Sequence, residues 1–378
     1  MIRRLTLSNF KCYEKETPVS FSKINIFYGK NGRGKSTILQ SLFLLSQTLR
    51  YNTGLETLLL NGDMVSLGVY DDIVNRSNTE SKIKFIIESD EEAPVRIEFE
   101  PYDLKPTLAK LNDLQVGEQH YIVELSEAVS PLTSLANINK LKTFLPQSDI
   151  KIYSLLRSLG YVSANRKGGN NYETRRDDLS SDNIDVDGSL IINKLSDQTA
   201  DFRETFAQEL SLILSGASVR VSENPETPDR IDLFLDSRDG NPQGFKPVNV
   251  GFGYSYVLPI IYQVMTAPRG GIVAIENPEA HLYPGAQSRI MDFIVKYSVR
   301  NDLQVILETH SDHVINGLRL AIKRNEIHRE DASITFFDRT NDDGSPLIEQ
   351  ILIDNNGALS KEPQDFMDEW TRQMLELL

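Results

Sequence analysis

The sequence predicts an α/β protein with a mixed sheet, antiparallel strands at its N-terminus and an inserted helical and β subdomain. Three observations carry this. The first 49 residues run from an alternating apolar segment through a short strand and a glycine-rich loop into a long apolar helix. After residue 246, strand-length and helix-length apolar segments alternate, the pattern of a covered, mostly parallel sheet. Between residues 101 and 245 that periodicity weakens.

Taken in order, Ile2, Leu5, Leu7 and Phe10 interleave with polar residues and read as a strand. A short acidic turn leads to a second strand, Ile24–Tyr28, and then to a helix from Thr37 to Leu49. Lys82–Ile87 and Val95–Phe99 alternate as a β-hairpin does. The middle of the chain offers a strand near Tyr121–Glu124, helices near Ile150–Leu159 and Phe202–Leu214, and a strand pair at Val219–Val221 and Ile231–Leu235. The stretch 165–184, rich in Asn, Asp, Gly, Arg and Ser, reads as a mobile loop. The last third gives helix Ser255–Met265, strand Ile272–Ile275, helix Gln287–Tyr297, strand Gln304–Leu307, helix His313–Lys323 and strand Ile334–Phe337. Neither a sustained heptad pattern nor an internal repeat is visible.

With 40% apolar and 25% charged residues, the composition is that of an ordinary globular protein. The single cysteine, Cys12, excludes an internal disulfide and points to a reducing, cytoplasmic setting. The apolar runs fall short of the roughly 20 residues a membrane-spanning helix needs, and the first residues lack a signal-peptide core. The formal charge of −14 argues against indiscriminate coating of nucleic acid, but it is uneven: residues 1–50 carry +7 and the remainder −21. A basic patch on an acidic body suits a polyanion such as a nucleotide.

Residues 29–36, Gly-Lys-Asn-Gly-Arg-Gly-Lys-Ser, complete the Walker A pattern G-x-x-x-x-G-K-[ST]. Gly29, Lys30, Asn31, Gly32, Arg33, Gly34, Lys35, Ser36 and Thr37 form the nucleotide-binding stretch. Its glycines let consecutive N–H groups face the phosphates, and the helix that follows aims its positive end at the same anion. Lys35 is placed to reach the β- and γ-phosphates, and the Ser36 hydroxyl to bind Mg²⁺. A P-loop protein that hydrolyses ATP also needs a carboxylate at the end of a neighbouring apolar strand. Ile272–Ile275 ends in Glu276, the metal-side acid, followed by Asn277. A second buried strand ends in Glu308-Thr309-His310, and His310 at a strand C-terminus reads as a γ-phosphate sensor. Upstream, Gly251, Gly253 and Ser255 open a helix and make another anion-binding signature.

This order of motifs resembles the ABC-type ATPase heads. Residues 7–11 (Leu-Ser-Asn-Phe-Lys), 276–284 (Glu-Asn-Pro-Glu-Ala-His-Leu-Tyr-Pro) and 308–313 (Glu-Thr-His-Ser-Asp-His) are similar to the motifs of single-head ATPases related to the OLD (overcoming-lysogenization-defect) and RecF-like proteins. Within that group the chain resembles bacterial ATPases with a short C-terminal domain of unknown function. The resemblance is strong over residues 1–40 and 247–338 and thin between them. It implies a P-loop NTPase fold in four parts: residues 1–100, the N-terminal part of the head with the phosphate loop; 101–245, the insertion; 246–332, the C-terminal part; and 333–378, a short C-terminal strand and tail domain.

The resemblance further implies ATP and Mg²⁺ as ligands, and an ATP-dependent head-to-tail homodimer or higher oligomer. Ser255 would contact the γ-phosphate held by the other protomer, with Tyr256 where a glutamine is often found. It also implies a separate effector protein and a setting of antiphage defence. The glutamine loop of such heads is not located, and Leu67–Asp72 are the only candidates.

Two departures shape the functional expectation. Active heads place a glutamate after the metal-side acid to polarise water, whereas this chain has Asn277, which cannot accept a proton. That predicts slow hydrolysis, with Glu279 as an alternative base or a structural contact. Only 65 residues follow His313, with scattered acids such as Asp338, Asp342, Asp343 and Asp354, too few for the nuclease domain of OLD-type enzymes. DNA binding stays open. Arg3, Arg4, Lys11 and Lys15, with Arg166, Lys167, Arg175 and Arg176, could meet a phosphate backbone, or the second group could be a solvated loop pairing with Asp177 and Asp178. The expected function is thus an ATP-hydrolysing switch controlling an effector. The alternatives are a RecF-like DNA-repair ATPase and a scaffold that hardly hydrolyses. The long insertion makes a transporter subunit a poor fourth.

Overall fold

The computed structural model describes residues 1–121 and 150–377 apart from positions 53, 91, 104, 169, 177–184, 225, 237–243, 341–345, 365 and 368. In chain order the first elements are β1 (Ile2–Ser8), β2 (Thr17–Ser20), β3 (Ile24–Gly29), α1 (Lys35–Tyr51), β4 (Thr57–Leu59), α2 (Tyr70–Ile73), β5 (Ile83–Ser89), β6 (Val95–Pro101), β7 (Leu108–Val116) and β8 (Gln119–Tyr121). Then come α3 (Lys151–Arg157), β9 (Gly160–Val162), β10 (Tyr172–Thr174), α4 (Ile191–Ser196), α5 (Ala200–Leu214), β11 (Ser218–Asn224) and β12 (Thr227–Asp236). The last are α6 (Phe252–Thr266), β13 (Ile272–Glu276), α7 (Pro284–Asn301), β14 (Gln304–Glu308), α8 (Asp312–Lys323), β15 (Ala332–Thr340), β16 (Pro346–Ile351) and α9 (Glu369–Leu377).

The chain divides into two compact units. One comprises residues 1–22, 30–159 and 337–348, the other residues 23–29, 160–336 and 349–378. The first unit holds an antiparallel sheet in the order β2-β1-β5-β6-β7-β4, with β8 on β7. Its centre is the hairpin expected from the alternation, with Ile83 opposite Phe99 and Ile87 opposite Val95. β7 has no counterpart in the sequence reading. Its buried residues are Ala109, Leu111 and Leu114, so the alternation changes phase midway, where the pairing with β6 shifts register. A bulge of this kind hides a strand from a period-2 pattern. β2 is only four residues long and escapes for that reason. α1 buries Ile38, Leu39, Leu42, Phe43, Leu44, Leu45 and Leu49.

The second unit contains β3, β14, β13 and β9 of the sheet β16-β15-β3-β14-β13-β9, and a smaller sheet, β10-β12-β11. β3, β14, β13 and β9 run parallel. β13 and β14 are near-continuous apolar runs, as strands covered on both faces must be. The register sets Phe27 beside Glu308 and Glu308 beside Glu276. The C-terminal ends of three strands therefore form one edge, and the phosphate loop leaves β3 from that edge at Gly29.

One sequence expectation is corrected here. The stretch 165–184 is not simply a mobile loop: residues 172–174 form β10, paired with β12, and Arg166 is buried. Its polar composition reads as solvent-facing, but two of the carbonyls that hold Arg166, those of Glu276 and Asn277, are far away in the sequence, which composition does not reveal. Residues 177–184, including Asp177 and Asp178, lie outside the described residues, as do residues 122–124 of the expected strand and Asp342 and Asp343. Among the described residues no helix is long and apolar enough to cross a membrane.

Candidate functional site

The phosphate loop takes its shape from glycine. Gly32 has φ +71 and Gly34 φ +91, a region that L side chains avoid. Gly34 is also the N-cap of α1 and, lacking a side chain, offers no side-chain acceptor to the first turn of the helix. Lys35 is buried, and its Nζ donates to Lys30 O at 2.8 Å, folding the side chain back over the loop. Lys30 N donates to Phe337 O at 3.0 Å, and Lys30 Nζ lies 2.8 Å from Asp338 Oδ1, so the start of the loop is held by β15.

The motif at residues 7–11 supports this loop. Asn9 and Lys11 adopt left-handed backbones, with φ 55 and 52. Asn9 Nδ2 donates to Glu80 O at 2.6 Å and Lys82 O at 2.9 Å, and Phe10 packs edge-on against Phe85 at 5.3 Å. The turn so fixed delivers Cys12 and Tyr13 to the loop. The buried Tyr13 hydroxyl donates to Gly34 O at 3.0 Å, and Cys12 Sγ lies 3.8 Å from Thr37 Oγ1. Burial raises the Tyr13 phenol and the Cys12 thiol above their ordinary pKa ranges, so both stay protonated. Tyr13→Phe removes one neutral hydrogen bond. It is expected to cost about 1 kcal/mol of stability, read as a lower denaturation midpoint with an unchanged slope.

The acid edge of the second unit is equally well held. Glu276 Oε2 accepts from the Tyr161 hydroxyl at 2.9 Å and from Ala164 N at 3.1 Å. Burial, reinforced by the charge of Glu276, raises the Tyr161 pKa and keeps it a donor. Asn277 follows with φ 45, a left-handed conformation that Asn tolerates better than most residues, and its N–H donates to Glu308 O at 2.7 Å. Glu279 has both carboxylate oxygens engaged, one with Thr309 Oγ1 at 2.7 Å and one with His310 N at 2.9 Å. That favours a bracing part for Glu279 over a base. His310 itself is exposed, directly before Ser311, whose hydroxyl caps α8.

The signature segment opens α6 with Gly251 as its N-cap and no side-chain cap. A Cβ on Gly251 would meet nothing within 4 Å, whereas one on Gly253 would stand 2.6 Å from His281 O. Ser255 lies inside the first turn, buried, and its hydroxyl has no hydrogen-bond partner. Phe252 is exposed beside Tyr256 and His281. Thus Glu276, Asn277 and His310 share one unit with the signature segment, while residues 30–37 belong to the other.

Sequence reasoning missed Tyr13 and Tyr161, and named Arg166 and Asp338 without the parts they play, because each acts on a residue distant in the chain. The only local signal was the position of Tyr13 just after the Asn-Phe-Lys motif.

The basic residues considered for DNA already have acidic or polar partners. Arg3 pairs with Asp90, Arg4 with Glu88 at 3.3 Å, Lys167 with Asp187 at 2.8 Å and Arg175 with Glu223 at 3.1 Å. Lys11 donates to Gln40 and Arg166 is buried. Each unit carries an oxygen donor of the kind Mg²⁺ takes. Ser36 and Glu276 offer hard oxygen ligands, and no group of three His, Cys, Asp or Glu able to hold a metal gathers among the described residues.

Residues 24–316 match the AAA_21 family, whose description pairs an AAA domain with an AbiEii-type toxin of a type IV TA system. Residues 327–377 match a family of proteins of unknown function, DUF3696. The chain is 35% identical over 97 residues to DNA replication and repair protein RecF of Acetivibrio thermocellus, covering 25% of this chain and 26% of that protein. It is 31% identical over 114 residues to RecF of Clostridioides difficile, covering 29% and 30%. The chain therefore spans about a quarter to a third of the length of these curated relatives. Among solved structures, an SmcHead bound to the C-winged helix domain of ScpA aligns over 94% of this chain and 98% of that one, with TM-score 0.51 and 16% identity, a likeness of fold.

Proposed function

The chain belongs to the AAA_21 family and has the fold of an ABC-type P-loop ATPase, and from that premise we propose that it is an ATP-binding and ATP-hydrolysing switch. In this reading it associates head to tail with ATP and controls a separate effector protein, in bacterial antiphage defence. The observation that carries it is the phosphate loop, with left-handed glycines, an uncapped α1 and a buried Lys35.

The assignments follow the chemistry of each residue. Gly29–Thr37 wrap the phosphates, with Lys35 on the β- and γ-groups. Ser36 and Glu276 hold Mg²⁺, which when bound neutralises charge on the transferring phosphoryl group. His310 senses the γ-phosphate, and Gly251, Gly253 and Ser255 meet the nucleotide of a second copy. Asn277 orients the attacking water without taking its proton, which makes hydrolysis slow. The family description, which names a toxin of a TA system, and the OLD-like motifs support the defence setting. A second reading, an ATPase of DNA repair, is favoured by the RecF similarity.

The test is ATP turnover with and without DNA, beside the solution mass with and without ATP. Turnover and ATP-dependent association that ignore DNA support the switch, and turnover stimulated by DNA supports the second reading. ATP binding and association with almost no turnover would instead make the chain a scaffold. Asn277→Glu is expected to raise turnover at least about 10-fold by supplying a base. The same change costs about 1 kcal/mol of stability, because Glu tolerates φ 45 less well than Asn. Unchanged turnover in that variant would count against the role given to Asn277.

A further inference from the structure

The buried guanidinium of Arg166 at the acid edge has an unusual set of partners. Arg166 Nη1 donates to Glu276 O at 2.8 Å and to Ser163 O at 3.1 Å, while Nη2 donates to Asn277 O at 2.6 Å. All three acceptors are main-chain carbonyls. Its Nε is buried with no hydrogen-bond partner. The guanidinium also lies 5.6 Å from the centre of the Tyr256 ring, near the start of α6. Two residues on, Gly168 runs so close to that helix that a Cβ would stand 2.6 Å from the Tyr256 ring and 3.4 Å from Ser255 Cβ. The segment 163–168 is therefore packed between the Glu276–Asn277 strand end and the start of the signature helix.

We propose that Arg166 is a positioning residue for the metal-side acid: by gripping the carbonyls of Glu276 and Asn277 together it fixes the Glu276 carboxylate, and through Tyr256 it ties that carboxylate to the signature helix. The proposal rests on the reading of Glu276 as the metal-side acid.

The chemistry is specific to arginine. A planar fork can serve two successive carbonyls, and the left-handed backbone at Asn277 presents both to it. The same loop sends Ala164 N and, from β9, the Tyr161 hydroxyl to the carboxylate itself. Backbone and side chain of Glu276 are thus held by one segment of seven residues, 160–166, so moving the segment moves the acid. A buried cation paired with carbonyls alone is a poor way to gain stability, since its desolvation offsets most of the gain. Burial does lower its pKa, to about 10, but Glu279, Tyr256 and Glu276 pull the other way and it stays charged at neutral pH. Lysine carries its three N–H donors on one nitrogen and lacks the planar fork whose two separate nitrogens reach Glu276 O and Asn277 O together.

The test uses the full chain with Arg166→Lys and Arg166→Ala. Three quantities are read: ATP affinity in EDTA, nucleotide-dependent Mn²⁺ binding by electron paramagnetic resonance, and turnover. In Arg166→Ala, Mn²⁺ binding is expected to weaken about 10-fold or more, with turnover falling in parallel, as for loss of a residue that orients a metal ligand. Arg166→Lys should not rescue either quantity. ATP affinity in EDTA, which depends on the phosphate loop, should stay within about twofold. A folded Arg166→Ala protein with wild-type Mn²⁺ binding overturns the proposal, as does a parallel fall of EDTA affinity and thermal stability, which marks a merely structural residue. Glu276→Gln separates the two readings. Unchanged Mn²⁺ binding in that variant overturns the role of Glu276 itself, whereas loss there with no effect of Arg166→Ala overturns only the positioning role.

Discussion

Lys35→Ala weakens ATP binding by about 100-fold or more and abolishes turnover. The magnitude follows from what the ammonium does: a charge-assisted hydrogen bond contributes about 1.5–3 kcal/mol, and a second phosphate contact on the same nitrogen adds to it. In the structure the group rests on Lys30 O, a neutral acceptor that a phosphate oxygen replaces with gain. The cost to the fold is small, since the desolvation of a buried ammonium offsets most of what its contacts contribute. Isothermal titration with ATP and a thermal melt of the same protein check both halves. Unchanged affinity would refute the nucleotide site, and lost affinity with a collapsed melt would make Lys35 a structural residue.

The second large effect is at the loop's last glycine, and the neighbouring glycine is its internal control. Gly32→Ala meets open space, with nothing within 4 Å of the new Cβ, so its cost is conformational alone, φ +71. Holding an L residue there costs about 1–2 kcal/mol, which predicts a loss in ATP affinity of about 10-fold. Gly34→Ala carries the same kind of strain at φ +91 and, in addition, a Cβ 2.6 Å from the Tyr13 hydroxyl and 3.1 Å from Cys12 Sγ. Either the loop or the Tyr13 ring must move. The ring is fully buried, in the first unit's core, so the loop gives way. An affinity loss of about 100-fold or more is expected, at least 10-fold beyond Gly32→Ala, and overpacking of a buried ring accounts for the difference. Equal losses at the two positions would show that Tyr13 does not buttress the loop.

The parts of the fold that local chemistry specifies are legible in the sequence. The hairpin centred on Ile83–Ser89 and Val95–Pro101, the covered strands ending in Glu276 and Glu308, and the strand–loop–helix around Lys35 all stand where their periodicity puts them. What stayed hidden breaks the period or has none: β7 changes phase at its bulge, and β10 is three residues inside a polar stretch.

The sequence by itself determined the nucleotide loop, the acid at the end of β13 and the α/β fold class. It could do so because glycine spacing, a lysine after the last glycine and apolar runs of strand length act through neighbours one to eight residues away. Only the tertiary structure decided what holds those groups. Tyr13 lies 21 residues from the carbonyl of Gly34 that it binds, Tyr161 lies 115 residues from Glu276, and Arg166 lies 111 residues from Asn277. A hydrogen bond is a short-range force and leaves no periodic trace in the chain. Which distant carbonyl a buried arginine grips is settled only when strands from remote segments are packed side by side, and with it how firmly the Glu276 carboxylate is held.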